Sequence, residues 1–286
     1  MLRKSLLLGI LLAAPVSADP LLYRMDDADS TVWLLGSVHA LRASDYPLDE
    51  RIENAYAESA RVVLEVNPAE LQPAHLGSLM ISLGRRENGR TLASAFTDAE
   101  YRRLQEGLAP LGIDASLMQD YEPWFVALQV FGLNLVRNGF ASAEGVDTHY
   151  AVRAAADNKR TAGLEQARDQ FLLFDQLAPE IQKRFLLDAV SDSGDFRAEM
   201  EKLVATWRSG DADALEALIE EEFGDEPALR ESLLDARNRR WLEPVAAYLD
   251  QPGSTLVIVG ALHLVGDEGL ARLLEQKGYK LEKVKK

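Results

Sequence analysis

A mixed α/β fold, with a largely parallel central sheet assembled from both ends of the chain around a large helical insertion, is what this sequence predicts. Three observations predict it. An apolar run closed by Gly-x-x-His occurs near each end: Trp33-Leu34-Leu35-Gly36-Ser37-Val38-His39, and Leu256-Val257-Ile258-Val259-Gly260-Ala261-Leu262-His263. Such runs read as buried strands that stop at a tight turn. A strand, helix, strand alternation follows each run, the pattern of β-α-β units. Between them, apolar residues recur at helical spacing.

Thr31 to Leu35 is the first expected strand. Pro47 is placed like the first residue of a helix, which runs to about Ala60 with Ile52, Ala55, Tyr56 and Ser59-Ala60 on its inner face. Arg61 to Val66 is the next strand. In the middle, Thr97-Asp98-Ala99-Glu100 forms a capping box that opens a helix toward Leu108. Ser116 to Asn138 has helical spacing with a break or kink at Pro123. Asp147 to Asn158 is an Ala-rich helix, and Lys159 to Leu164 a short strand. Helices follow at Ala167–Leu177, Pro179–Val190, Asp195–Trp207 and Asp211–Glu222. A longer one spans Glu226 to Leu249, broken near Pro244. The chain closes with strand Thr255–Val259, helix Asp267–Lys277 stopped by Gly278, and strand Tyr279–Val284. The insertion thus covers about residues 67–250.

The first 18 residues read as a secretory signal peptide. Arg3 and Lys4 precede the apolar run Leu6 to Val16, and Val16-Ser17-Ala18 offers small residues for cleavage ahead of Asp19. The run is well short of the ~20 residues of a membrane span, so no stable membrane anchor is expected after cleavage, and a periplasmic or secreted location is. The chain has no cysteine. It therefore has neither disulfides nor a Cys lipid anchor, and any metal site must use His and carboxylates. With 31 basic and 46 acidic side chains the formal charge is −15, which repels phosphate backbones and makes nucleic acid an unsuitable partner. The partner expected is a peptide or small-molecule substrate.

Two of only four histidines, His39 and His263, share the strand-end context, where open α/β sheets place ligands and catalytic groups. Two imidazoles and a carboxylate make a divalent metal site, or an acid and a base without metal. Glu65 interrupts the apolar strand Val62-Val63-Leu64-Glu65-Val66. A buried carboxylate there needs a partner or a metal; the alternative is an edge-strand Glu facing water. Glu165 follows Gly163-Leu164, as a second active-site carboxylate or as a helix N-terminal Glu beside the dipole. Arg237-Asn238 can polarise a carbonyl, or belong to a solvated basic patch. His75 and His149 lack the strand-Gly context and read as surface or capping residues, although Asp147 is placed to shape the site. No P-loop, Gly-x-Gly-x-x-Gly, Gly-x-Ser-x-Gly or HExxH motif occurs.

Taken in order, Leu35-Gly36-Ser37-Val38-His39, Val63-Leu64-Glu65, Gly145-Val146-Asp147, Gly163-Leu164-Glu165 with Gln170, Arg237-Asn238 and Val259-Gly260-Ala261-Leu262-His263 resemble the TraB/GumN family, whose animal relatives include the Tiki membrane-anchored metalloproteases. The resemblance runs from about Leu22 to Lys283. It implies a fold similar to erythromycin-esterase-like and ChaN-like proteins, with the paired Gly-x-x-His motifs at His39 and His263 and the acidic position at Glu65. In the Tiki branch these features are linked to divalent-metal-dependent peptide hydrolysis. The expectation is a secreted or periplasmic hydrolase of peptide bonds. His39, His263 and Glu65 would hold manganese, cobalt or zinc, Glu165 would be a ligand or proton shuttle, and Arg237 and Asn238 would stabilise the oxyanion. The alternative is a non-catalytic binder of a peptide or metal ligand using the same cleft.

Overall fold

The computed structural model describes residues 19–87, 89–191, 196–224 and 226–285. Residues 1–18, expected to be a signal peptide, lie outside the described residues, as does Asp195 at the start of one expected helix. Six strands form one sheet: β1 (Leu22–Asp26), β2 (Ser30–Ser37), β3 (Arg61–Val66), β4 (Arg160–Glu165), β5 (Gly253–Gly260) and β6 (Glu282–Lys283), in the order β4-β3-β5-β2-β1-β6. The four strands β4, β3, β5 and β2 run parallel, and β1 and β6 add antiparallel pairs on one side. The sheet is therefore mixed and largely parallel, and its two central neighbours β2 and β5 come from opposite ends of the chain.

The expected β-α-β start is borne out, with corrections at its edges. Helix α1 (Glu50–Glu58) buries Ile52, Ala55 and Tyr56. Pro47 does not open it. Asp49 does, its carboxylate accepting from the Arg51 N–H at 2.9 Å, which satisfies a donor that the first turn leaves orphaned. Strand β1 precedes the first expected strand; its short run, with charged residues at alternate positions, gives little apolar signal. At the other end, the expected final strand shrinks to β6, which pairs with β1 and not with β5. The helix before it, α12 (Leu270–Gln276), stops at Gly278, whose φ of +96° suits glycine.

The insertion carries α2 (Pro73–Gly84), α3 (Asp98–Leu108), α4 (Pro123–Arg137), α5 (Val146–Ala156), α6 (Ala167–Asp175), α7 (Pro179–Ser191), α8 (Phe196–Ser209), α9 (Ala212–Phe223), α10 (Pro227–Arg230) and α11 (Ala236–Ala246). The Thr97–Glu100 capping box is present, the Thr97 N–H donating to Glu100 Oε2 at 2.8 Å. Pro123 starts α4 instead of kinking a longer helix: proline fits the first turn, where its missing N–H has no partner to lose. Pro244 likewise does not break α11, which continues through it. The irregularity lies earlier, in a π turn over Glu231–Asp235 that joins α10 to α11. π turns inside helices often accompany functional sites, and this one leads into α11, which carries Arg237.

Two apolar cores result. One packs both faces of the sheet and includes Leu34, Leu64 and Ile258 from strands, Tyr56 and Tyr150 from α1 and α5, and Trp207 and Trp241 from α8 and α11. The other is internal to the insertion and joins Leu104, Leu108, Trp124, Val130 and Leu186 of α3, α4 and α7.

Candidate active site

The register of the sheet brings the two motifs together. Gly36 is opposite Val259 and Ser37 opposite Gly260, so β2 and β5 end level with each other. His39 and His263 leave from the same carboxyl edge, the usual ligand edge of such sheets. On the other side of β5, β3 pairs Leu64 with Ile258, bringing Glu65 alongside. β4 sets Glu165 opposite Val66. The motif glycines are there for room. A Cβ on Gly260 would lie 3.2 Å from His39 Nε2 and 3.4 Å from Glu65 Oε1; one on Gly36 would lie 2.4 Å from Leu21 Cδ2.

Glu65 is buried, at 5% exposure, which excludes the reading of a water-facing edge residue. Its Oε1 accepts from the Gly260 N–H at 2.7 Å. Its Oε2 accepts from Arg237 Nη2 at 2.6 Å and Gln170 Nε2 at 3.0 Å. Burial alone pushes the carboxyl up. The charge of Arg237, followed by the two histidines and the Gly260 hydrogen bond, reverses this and holds it well below the usual carboxylate range. Both imidazoles face this group: His39 Nε2 is 3.9 Å and His263 Nε2 3.8 Å from Glu65 Oε1.

The two histidines have opposite environments. The His39 side chain is 64% exposed, and its Nδ1 lies 2.9 Å from Asp147 Oδ2. Ser37 Oγ donates to the other oxygen of Asp147 at 3.0 Å. The Asp147 charge raises His39 to about 9. His263 is buried beneath Trp241, ring centroids 4.6 Å apart. Its Nδ1 lies 2.7 Å from Asn238 Oδ1, while Asn238 Nδ2 donates to the Glu268 carbonyl at 2.8 Å. That second bond fixes the amide's orientation, so Nδ1 carries the proton and Nε2 a lone pair. Burial lowers His263 to about 3.

Arg237 is the hub. Nε and Nη2 reach Glu165, Nη2 also reaches Glu65, and Nη1 donates to the Leu233 carbonyl at 3.0 Å and to His263 Nε2 at 2.9 Å. The Leu233 carbonyl belongs to the π turn. All five donors of the guanidinium are thus spent on protein acceptors, and the reading of a solvated basic patch is excluded. Glu165 puts both oxygens on Arg237. Of the sequence-predicted residues, His39, Glu65, His263, Arg237, Asn238 and Glu165 all converge. Asp147 and Gln170 prove to be the fixing partners. His75 stands apart in α2, and His149 stacks on Tyr46 at 4.4 Å.

In donor chemistry the triangle His39 Nε2, Glu65 Oε1, His263 Nε2 fits a divalent ion. Ligands at about 2.0–2.2 Å in a tetrahedron have donor atoms roughly 3.4 Å apart, somewhat closer than the spacings here. Among the described residues no three His, Asp or Glu are drawn close enough to form a finished metal cluster, and Nη1 of Arg237 is the contact an ion would displace.

A cavity of about 420 Å³ opens at this triangle. Apart from the reactive groups, its wall is mostly apolar.

The fold is thus an open α/β sheet with two histidines and a buried carboxylate converging at its carboxyl edge. The chain belongs to the TraB/PrgY/gumN family, whose model matches residues 21–283. It is similar to the uncharacterized protein YbaP of Escherichia coli (strain K12), 22% identical over 243 residues that cover 84% of this chain and 86% of the relative. The same similarity holds for YbaP of Shigella flexneri. No solved structure matches it.

Proposed function

We propose that the chain is a secreted or periplasmic hydrolase acting on a peptide-like amide bond, with its chemistry at His39, Glu65 and His263. The observation that carries this reading is the convergence of imidazoles from opposite ends of the chain on one buried, charged carboxylate. His39, His263 and Glu65 would hold a divalent ion such as manganese, cobalt or zinc. When bound, such an ion supplies an acidified water and a polarised carbonyl. Glu65 Oε1 faces both imidazoles and, held charged, is suited to accept a hydrogen bond from a water and orient it. Asp147 orients His39, and Asn238 orients His263. Arg237 keeps Glu65 charged, with Glu165 as its counter-charge. The oxyanion role expected of Arg237 and Asn238 is not part of this proposal, since their polar atoms are already engaged.

One observation favours a second reading, a metal-free acid–base site: Arg237 already donates to the lone pair of His263. His39, charged and open to the cleft, is then the proton donor to the leaving group. Hydrolysis of fluorogenic amides, both peptidyl and N-acyl, after exhaustive chelation, with and without added manganese, cobalt or zinc, separates the two. The hydrolase proposal expects turnover in wild type and loss of at least ~100-fold in Glu65→Gln. Loss on chelation with recovery on metal, together with elemental analysis showing bound metal in wild type and little in His39→Ala/His263→Ala, supports the ion. No turnover under any metal, with ligand binding intact, overturns it in favour of a binding protein. No helix among the described residues is long and apolar enough to cross a membrane.

A further inference from the structure

The polar groups of the cleft are confined to one end. Of the side chains that line it, Arg237 and Gln170 are spent on Glu65, Ser37 on Asp147, and His263 on Asn238 and Arg237. What remains for a ligand is His39, Glu65 and the Ser142 hydroxyl, and these three also line one smaller hollow together, which places them at the same end. The opposite wall is hydrocarbon and comes from the insertion: Leu135 of α4, Leu173 and Phe174 of α6, Leu203 of α8, Phe223 of α9, and Leu233 of the π turn. Leu173 and Leu233, both half-buried, are outside the two packed cores and line the cleft.

This asymmetry selects the shape of the substrate. A peptide main chain carries an N–H and a C=O at every residue, and apolar walls leave such groups unpaired at a cost. A chain whose only polar group is at one end meets no such penalty. The cavity of about 420 Å³ has room for on the order of a dozen methylenes, if each takes about the roughly 30 Å³ of a liquid water. We infer that the cleft receives an aliphatic acyl chain, its carbonyl at the His39–Glu65 mouth and its tail among the insertion helices. This deepens the proposed hydrolase and rests on it: the bond cleaved is the amide between that acyl group and a nitrogen. Water oxygen bonds to the acyl carbon, the carbon–nitrogen bond breaks, and a water proton passes to the departing nitrogen. The products are a carboxylic acid and an amine.

Binding and turnover are tested separately on the full chain. In calorimetry with Glu65→Gln, decanamide is expected to bind at least tenfold more tightly than acetamide. Leu173→Glu added to that background should weaken decanamide at least tenfold, with the thermal midpoint held as a check on folding. Leu173→Met should retain binding. Equal binding of the two amides, tighter binding of an apolar tripeptide amide than of decanamide, or indifference to Leu173→Glu overturns the acyl inference. With wild type, N-decanoyl and N-acetyl derivatives of one fluorogenic amine are compared. Cleavage faster for decanoyl supports both readings. Cleavage faster for acetyl overturns the acyl inference alone. Absence of cleavage of both, with decanamide still bound, overturns the hydrolase and leaves the acyl pocket standing.

Discussion

Removing the guanidinium of Arg237 should cost the protein a large share of its stability. In Arg237→Met, the carboxylates of Glu65 and Glu165, whose side chains are 7% and 6% exposed, lose the cation that both contact at 2.6 Å. The Leu233 carbonyl and His263 Nε2 lose a donor as well. Breaking a buried ion pair by deleting one partner costs about 3–5 kcal/mol, most of it the uncompensated charge left behind. Urea unfolding at pH 7, followed by circular dichroism, should show that loss with an unchanged slope. The charge itself is tested by adding Glu165→Gln, which removes one stranded carboxylate and should return at least ~1 kcal/mol, a coupling visible in a double-mutant cycle. Acid should also help the single variant. Without Arg237, burial raises the folded Glu65 carboxyl above its unfolded value, so the folded state takes up a proton first and gains stability as pH falls toward that value. If Arg237→Met lies within roughly 1 kcal/mol of wild type, as ordinary surface changes do, the guanidinium is not the hub described.

Asp147→Asn should return His39 from about 9 toward the ordinary histidine value, read by NMR titration, because the Asp147 charge is its first cause. His263, lowered to about 3 by burial, makes the unfolded chain the better proton acceptor below pH 6.5. Stability should therefore drop as pH falls from 6.5 toward the folded value, more steeply in wild type than in His263→Phe, in urea midpoints measured at stepped pH. Gly145→Ala puts a Cβ 2.4 Å from the His39 carbonyl oxygen, so it should shift the His39 resonances and lower turnover more than stability. Thr97→Ala, far from the site, should cost about 1 kcal/mol through the lost cap and leave turnover unchanged.

Much of this was legible in the sequence because it is written in short-range chemistry. A glycine three residues before a histidine, at the end of an apolar run, marks a strand end in both copies, and a Glu amid valines marks a burial that needs a partner. The partners were harder to see. That Arg237 reaches Glu65, Glu165 and His263 together depends on the π turn before it, and Glu231 to Asp235 carry no periodic signal that separates such a turn from an ordinary helix. Asp147 stood out beside a glycine, but its pairing with His39 follows from α5 starting against the end of β2, a long-range contact. The prolines misled for one reason: Pro123 and Pro244 were read as interruptions, although a first turn tolerates one and tertiary packing accommodates the other.

The middle of the sheet is completed by the last long strand to be synthesised. Until Gly253–Gly260 is available, β2 and β3 have no neighbour to join them, and the two ends of the chain must find each other across nearly its full length. Such non-local closure is slow and exposes apolar edges while it waits. A ribosome that stalls before Gly253 therefore releases no weakened version of this protein, only a chain whose β2 and β3 each keep one unpaired edge and that holds half of its histidine pair, fit for degradation.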